Sequence, residues 1–308
     1  MFEITILGNG AATPTHQSNP SAQYIQLDNQ HLLIDCGEAT QIQMMRYGIK
    51  SQKISHIFIS HLHGDHYWGL MGLLSSWHLQ GRKTPVYLYA PRALDEIIRL
   101  QLKASQTILN YALHFSPIPA DSPCYLVETP SFSVQSFPLK HRIDCTGFVV
   151  RERPDIRYNL RKEMLGPTLG KAQILALKQG QDTTDTLGKP LRVDQYTYKF
   201  LARSYAYCSD TMPDEAITPY LHGVDLLYHE TTFLHQDLDK ALATLHSTAQ
   251  QAAQVAHDAQ VKRLLMGHFS VRYEKPAAAF EAEARRIFAE SYASVEGHTY
   301  HIDSQAVG

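Results

Sequence analysis

The chain of 308 residues is poor in cysteine, in net charge and in long apolar runs. Its four cysteines, Cys36, Cys124, Cys145 and Cys208, are widely separated and form no C-x-x-C pair. A zinc-finger type of structural site is therefore not expected. Cys36, Cys145 and Cys208 do lie near metal-type residues, but a cysteine at a strand end often serves as a small buried hydrophobe. Met1-Phe2-Glu3 leads straight into a strand-like segment, with no secretory signal ahead of it. Free thiols in that context point to a reducing, cytoplasmic setting. No apolar run is long enough to span a bilayer, so no membrane association is expected. A formal net charge of −2 gives no general attraction to nucleic acid. Any RNA would have to be met by a local basic patch.

What the chain does have is concentrated in Ile57-Phe58-Ile59-Ser60-His61-Leu62-His63-Gly64-Asp65-His66. The apolar, β-branched start reads as a buried strand. It runs into a polar loop with three histidines and an aspartate within six positions. Imidazole nitrogens and carboxylate oxygens are the ligands zinc takes when thiolates are absent. The H-x-H-x-D-H spacing offers two adjacent ligand sets, which suits two metals better than one. A divalent ion such as Mn²⁺ is an alternative occupant of a His/Asp site.

Strand patterns recur along the chain, and several end in His or Asp. Phe2 to Leu7 alternates and stops at Gly8-Asn9-Gly10. Tyr24 to Leu27 and Leu32 to Ile34 flank Asp28-Asn29-Gln30 as a hairpin. Gln41 to Tyr47, Tyr67 to Leu79 and Arg92 to Lys103 read as helices. Phe200 to Tyr207 reads as one strand leading to Asp210. Ser247 is placed to cap a helix, with Gln250 completing a capping box. Pro276 opens a last, alanine-rich helix. The single break is the stretch 151–190, rich in Gly and Pro. Up to Lys178 it holds seven basic residues against three acidic ones. An insertion of this kind projects from the body of a fold.

Two zinc ions, each with a position left for water, need about seven or eight protein ligands. The loop supplies His61, His63, Asp65 and His66. His141, Asp210 and His268 sit at other strand ends. One metal would take His61, His63 and His141, the other Asp65, His66 and His268, with Asp210 able to bridge both.

The order of these segments resembles the metallo-β-lactamase superfamily, and more closely ribonuclease Z, the transfer-RNA 3′-processing endonuclease. The likeness runs over nearly the whole chain. It rests on Leu33-Ile34-Asp35-Cys36-Gly37, on the histidine loop with Gly69-Leu70-Met71-Gly72-Leu73, and on His141. It continues through Ser209-Asp210-Thr211, His229-Glu230-Thr231-Thr232-Phe233, His246-Ser247-Thr248 and Gly267-His268-Phe269-Ser270.

The resemblance implies a single αββα sandwich of α/β (α+β) class over 1–308, with a projecting exosite arm at 151–190. It implies a cytoplasmic, zinc-dependent hydrolase with two Zn²⁺ per subunit that removes the 3′ trailer from precursor transfer RNA. The products would be a transfer-RNA 3′-hydroxyl and a trailer 5′-phosphate. Asp65 is implied as general base. His246 is implied as the acid for the leaving 3′-oxygen, with Glu230 fixing its tautomer. Asp35 is expected to orient histidine ligands by hydrogen bonds from behind. Leu165-Gly166-Pro167-Thr168-Leu169-Gly170-Lys171 looks like the element by which the arm grips transfer RNA. Gly166, Pro167 and Lys171 are therefore candidate substrate contacts, and a homodimer sharing arms is implied. Bacterial relatives often carry a P-x-K-x-R-N loop, of which only Lys53 is present in Ser51-Gln52-Lys53-Ile54-Ser55-His56. That departure bears on precursors already encoding CCA. The competing readings are a hydrolase of small phosphodiesters or thioesters on the same metal core, and a non-catalytic RNA-binding protein.

Overall fold

The computed structural model describes residues 1–274 and 276–307. Strands β1 (Phe2–Gly8), β2 (Ala22–Leu27), β3 (Gln30–Ile34), β4 (His56–Phe58), β5 (Val86–Ala90) and β6 (Leu113–Pro117) form one sheet. With β18 (Thr299–His301) its order is β18-β1-β2-β3-β4-β5-β6. The second sheet contains β7 (Cys124–Glu128), β8 (Phe132–Leu139), β9 (Cys145–Glu152), β14 (Ser204–Cys208), β15 (Leu226–Glu230), β16 (Leu264–Gly267) and β17 (Ser291–Ala293). Its order is β17-β16-β15-β14-β9-β8-β7.

The sequence alternation explains why two sheets lie face to face with helices outside. Leu32 and Ile34 point into the inter-sheet core while Leu33 points outward. Tyr205, Tyr207, Tyr228 and Leu265 fill the same middle layer from the second sheet. Ala206, Cys208, Leu227 and Leu264 face the outer helices. Strands buried on both faces read as near-continuous apolar runs. Helix Ala249–Asp258 presents Ala249, Ala252, Ala253 and Ala256 to the second sheet. Their spacing of three and four puts them on one helix face.

Three expectations about local structure are corrected. The helix read from Tyr67 to Leu79 is two, Gly64–Tyr67 and Leu70–Leu79. The break is fixed by Gly69, whose N–H donates to Cys36 O at 2.9 Å and which abuts Gly37, where no side chain fits. The strand read from Phe200 to Tyr207 is also two, β14 and β13 (Thr197–Leu201). Arg203 stands between them and turns its guanidinium onto Glu152, Nη2 donating at 2.6 Å and Nε at 3.0 Å. The capping box lies one residue later than expected. Thr248 caps helix Ala249–Asp258 and Gln251 completes the box. Ser247 is engaged elsewhere, its hydroxyl donating to Thr211 O at 2.7 Å.

The excursion from the second sheet runs from the end of β9 to the start of β14 and encloses the 151–190 segment except Arg151 and Glu152, which belong to β9. Strand β10 (Ile156–Leu160) pairs antiparallel with β13, and β13 with β19 (Ala306–Val307). The short strands β11 (Thr183–Thr184) and β12 (Pro190–Leu191) pair with each other. Leu177, Leu191, Val193 and Tyr196 form a small core of their own there. Positions 153–203 hold ten basic and five acidic residues. No helix among the described residues is long and apolar enough to cross a membrane.

Candidate metal centre and active site

The ends of β3, β4, β8, β14, β15 and β16 converge on one edge of the sandwich. Loops after the carboxyl ends of parallel strands are where open sheets bind ligands. Here they deliver Asp35, the histidine loop, His141, Asp210, Glu230 and His268, in that order of strands.

All seven residues singled out as metal ligands come together. His61, His63, His141 and Asp210 form one group able to hold an ion, and Asp65, His66 and His268 another. His61 Nε2 lies 3.0 Å from His63 Nδ1, and His141 Nε2 lies 3.3 Å from the same atom. Nitrogens at the corners of a zinc tetrahedron stand about 3.3 Å apart, given Zn–N bonds of about 2.0–2.1 Å. His141 Nδ1 donates to Leu245 O at 3.0 Å, which leaves its Nε2 as a lone pair. Asp210 turns one oxygen to each group. Oδ2 is 3.6 Å from His61 Nε2 and 3.8 Å from His141 Nε2. Oδ1 is 3.4 Å from His66 Nε2 and 3.2 Å from His268 Nε2.

The residues fit divalent ions. Among the described residues, five buried side-chain polar atoms lack a hydrogen-bond partner, and His66 Nε2 and Asp210 Oδ1 are two of them. Buried polar groups are rarely orphaned, and here two face the same point. Burial pushes His61 well below its ordinary pKa and lowers His63 and His141, favouring the neutral, metal-binding form. Burial opposes the charged form of Asp210, but the surrounding His268, His66 and His61 hold its carboxyl well below the usual range. Cys36, Cys145 and Cys208 are free and buried and join neither group. Burial pushes the Cys36 thiol up to about 12.

Behind the ligands sits Asp35, at the end of β3 and fully buried. Its Oδ2 accepts from His66 Nδ1 at 2.7 Å, Tyr207 OH at 2.7 Å and Ser60 Oγ at 2.9 Å. Its Oδ1 accepts from Ser60 N at 2.8 Å. A carboxylate can only accept, so His66 carries a proton on Nδ1 and leaves Nε2 as the atom turned to the metal group. Asp65 is aimed differently. Its Oδ2 accepts from Ala12 N at 2.8 Å and lies 3.4 Å from His268 Nε2.

Glu230 and His246 also meet. His246 Nδ1 donates to Glu230 Oε1 at 2.8 Å. The same oxygen accepts from Ser247 N at 2.9 Å and Thr211 N at 3.1 Å. Burial would lower the His246 pKa, but the Glu230 carboxylate overrides it and holds the imidazole up to about 9. The Glu230 carboxyl is correspondingly lowered, His246 outweighing burial. Sequence reasoning missed Thr232, whose Oγ1 lies 3.2 Å from His246 Nδ1 and 2.9 Å from His268 Nδ1. It also missed Tyr207, although the inward alternation of β14 marks that position as facing β3. Gly166, Pro167 and Lys171 are not brought to this centre. They lie exposed on the arm, at the turn leading into helix Lys171–Lys178.

Residues 2–149 match the family model described as Anti-Pycsar protein Apyc1, a match that stops before the arm. Ribonuclease Z of Cytophaga hutchinsonii is 45% identical over 306 residues, covering 99% of this chain and 97% of the relative. The chain belongs to the ribonuclease Z family. The solved human tRNase Z, short form, aligns at 26% identity with a TM-score of 0.72, covering 98% of this chain and 99% of that one. The Bacillus subtilis metallo-beta-lactamase fold protein YhfI shares the fold, with a TM-score of 0.69 at 16% identity over 98% of this chain and 100% of that one.

Proposed function

We propose that the chain is an endoribonuclease that removes the 3′ trailer from precursor transfer RNA in the cytoplasm. The observation that carries the reading is the Glu230–His246 pair standing beside the His/Asp groups in a chain of this family. Two zinc ions per subunit, one held by His61, His63 and His141, the other by Asp65, His66 and His268, with Asp210 common to both, would supply the Lewis acidity that activates water and offsets phosphodiester charge.

The chain's own residues then divide the proton work. Asp65 takes a proton from the attacking water. His246, with Nδ1 committed to Glu230, turns Nε2 toward the cavity and gives a proton to the departing ribose 3′-oxygen. Thr232 holds His246 and His268 in one frame, donating its hydroxyl proton to Glu230 Oε2 at 2.8 Å. The basic arm supplies phosphate contacts remote from the cut, with Gly166, Pro167 and Lys171 at its exposed turn. Such contacts give affinity and salt dependence rather than sequence specificity. We place the arm of one subunit over the site of a second copy, in a homodimer.

The test is direct. Purified zinc-loaded protein is incubated with a trailer-bearing precursor and both new ends are mapped. The expected products are a transfer RNA with a 3′-hydroxyl and a trailer with a 5′-phosphate. A 3′-phosphate or cyclic phosphate would refute the assignment of the leaving group.

A further inference from the structure

The chain has two tryptophans, and they are placed in opposite ways. Trp77 is fully buried in helix Leu70–Leu79. Trp68 is 66% exposed, two residues beyond His66. A large aromatic left in water beside a chemical centre is the exception.

Its surroundings make it a platform. Gly64 lies beneath the indole, where a Cβ would collide almost equally with Cδ2, Cε2 and Cζ2. Three contiguous ring atoms at similar distance put the glycine under the ring face rather than at its edge. Only glycine allows that approach. Trp68 N also donates to Gly64 O at 3.0 Å, so ring and backbone are anchored to one residue. Trp68 lines the same cavity of about 420 Å³ as His63, Asp65, His141, His246 and His268. Phe233 and Val271 also line that cavity.

We infer that Trp68 is a specificity-determining residue that stacks on one of the two nucleobases flanking the scissile linkage. The inference rests on the proposed RNA-cleaving function. Single-stranded RNA is held by stacking unpaired bases on aromatic side chains. Each such stack contributes a factor of about ten or more in binding, whatever the base. A rigid ring beside the reactive groups therefore sets the position of the cut without reading sequence.

The test uses zinc-loaded full-length protein and three precursor transfer RNAs. One is intact, one is abasic just 5′ of the mapped cut, and one is abasic just 3′ of it. With the wild type, one abasic RNA is expected to lose about tenfold in kcat/KM, mostly through KM. Trp68→Ala is expected to lose the same factor on intact RNA and nothing further on that abasic RNA. Trp68→Phe should recover most of the loss. Intact RNA should quench the acrylamide-accessible tryptophan emission, which comes from Trp68 because Trp77 is buried, and the critical abasic RNA should not. Losses that multiply instead of coinciding, or no loss with either abasic RNA, would overturn the inference. So would a Trp68→Ala variant whose only change is a weaker subunit association. Wild-type protein that leaves the intact precursor uncut overturns the functional reading itself, and this inference with it.

Discussion

Replacing Asp35 by Asn should weaken metal binding without emptying the site of ligands. Asn has nearly the same shape and tolerates the left-handed backbone at this position, where φ is 56°. What changes is the sign of one half of the side chain. If the amide oxygen takes the place of Oδ2, it still accepts from His66, Tyr207 and Ser60. The amide NH₂ then faces Ser60 N–H, two donors against each other in a fully buried place. Leaving such a donor unsatisfied costs about 1–3 kcal/mol. If the amide flips, it satisfies Ser60 N but points NH₂ at His66 Nδ1. His66 can accept only by moving its proton to Nε2, the atom needed as a metal lone pair. Either outcome is unfavourable, and the second acts on the metal directly. Changing a residue that holds a ligand from behind commonly lowers metal affinity about 10–100-fold, equivalent to about 1.4–2.7 kcal/mol. Competition against a chromophoric zinc chelator measures the affinity. Denaturant unfolding of the metal-free proteins measures the stability loss, and ¹⁵N NMR of the histidine rings reads the tautomer. Wild-type zinc affinity in Asp35→Asn, with His66 still protonated on Nδ1, would refute this account of the carboxylate.

Other outcomes follow from the same geometry. His246→Ala should retain its zinc, by elemental analysis, yet cleave precursor RNA about 10²-fold or more slowly; cleavage at the wild-type rate would remove His246 from the mechanism. Joining Leu160 to Thr197 through Asn-Gly, at the last pair of the β10–β13 ladder, removes the outer arm while keeping the hairpin at its base. Precursor RNA binding should collapse in a filter assay while bis(p-nitrophenyl) phosphate hydrolysis persists; equal loss of both in folded protein would contradict the arm's role. His56 stacks on Tyr87 and meets Phe132 edge-on, and burial there pushes its pKa down to about 4. The unfolded chain binds that proton near pH 6.5, so stability present above about 6.5 is lost as pH falls toward 4. His56→Phe should remove about 2 kcal/mol of the stability difference between pH 7 and 4.5, read by urea unfolding at both values.

How much was legible depended on how locally each feature is specified. The histidine loop could be read at once, because strand, turn and ligands are contiguous. His141, Asp210 and His268 are each one histidine or carboxylate at one strand end, and only the order of the whole set singled them out. Individual strands were legible in their apolar runs, while the sandwich they build followed only from the resemblance. The break at Gly69 was not legible, because the contact that enforces it, against Gly37, is made across the fold. Ser247 looked like a cap because its hydroxyl could serve one; its partners are distant in sequence, Thr211 in the loop after β14 and Glu230 at the end of β15. Thr232 carries no signal of its own, and the alternation of β14 turns Tyr207 inward without giving it a role. A threonine or tyrosine acquires a role only when folding brings a carboxylate or imidazole to it.

Tyr207 has a practical corollary. Its ring stacks on Tyr228 at 5.2 Å in the apolar layer between the sheets, while its hydroxyl reaches Asp35. Interior and reactive edge thus share a girder. Anyone refilling the middle of the sandwich for heat resistance would be retuning the enzyme's grip on its ions, and a conservative swap to Phe, invisible from outside, would be felt at His66.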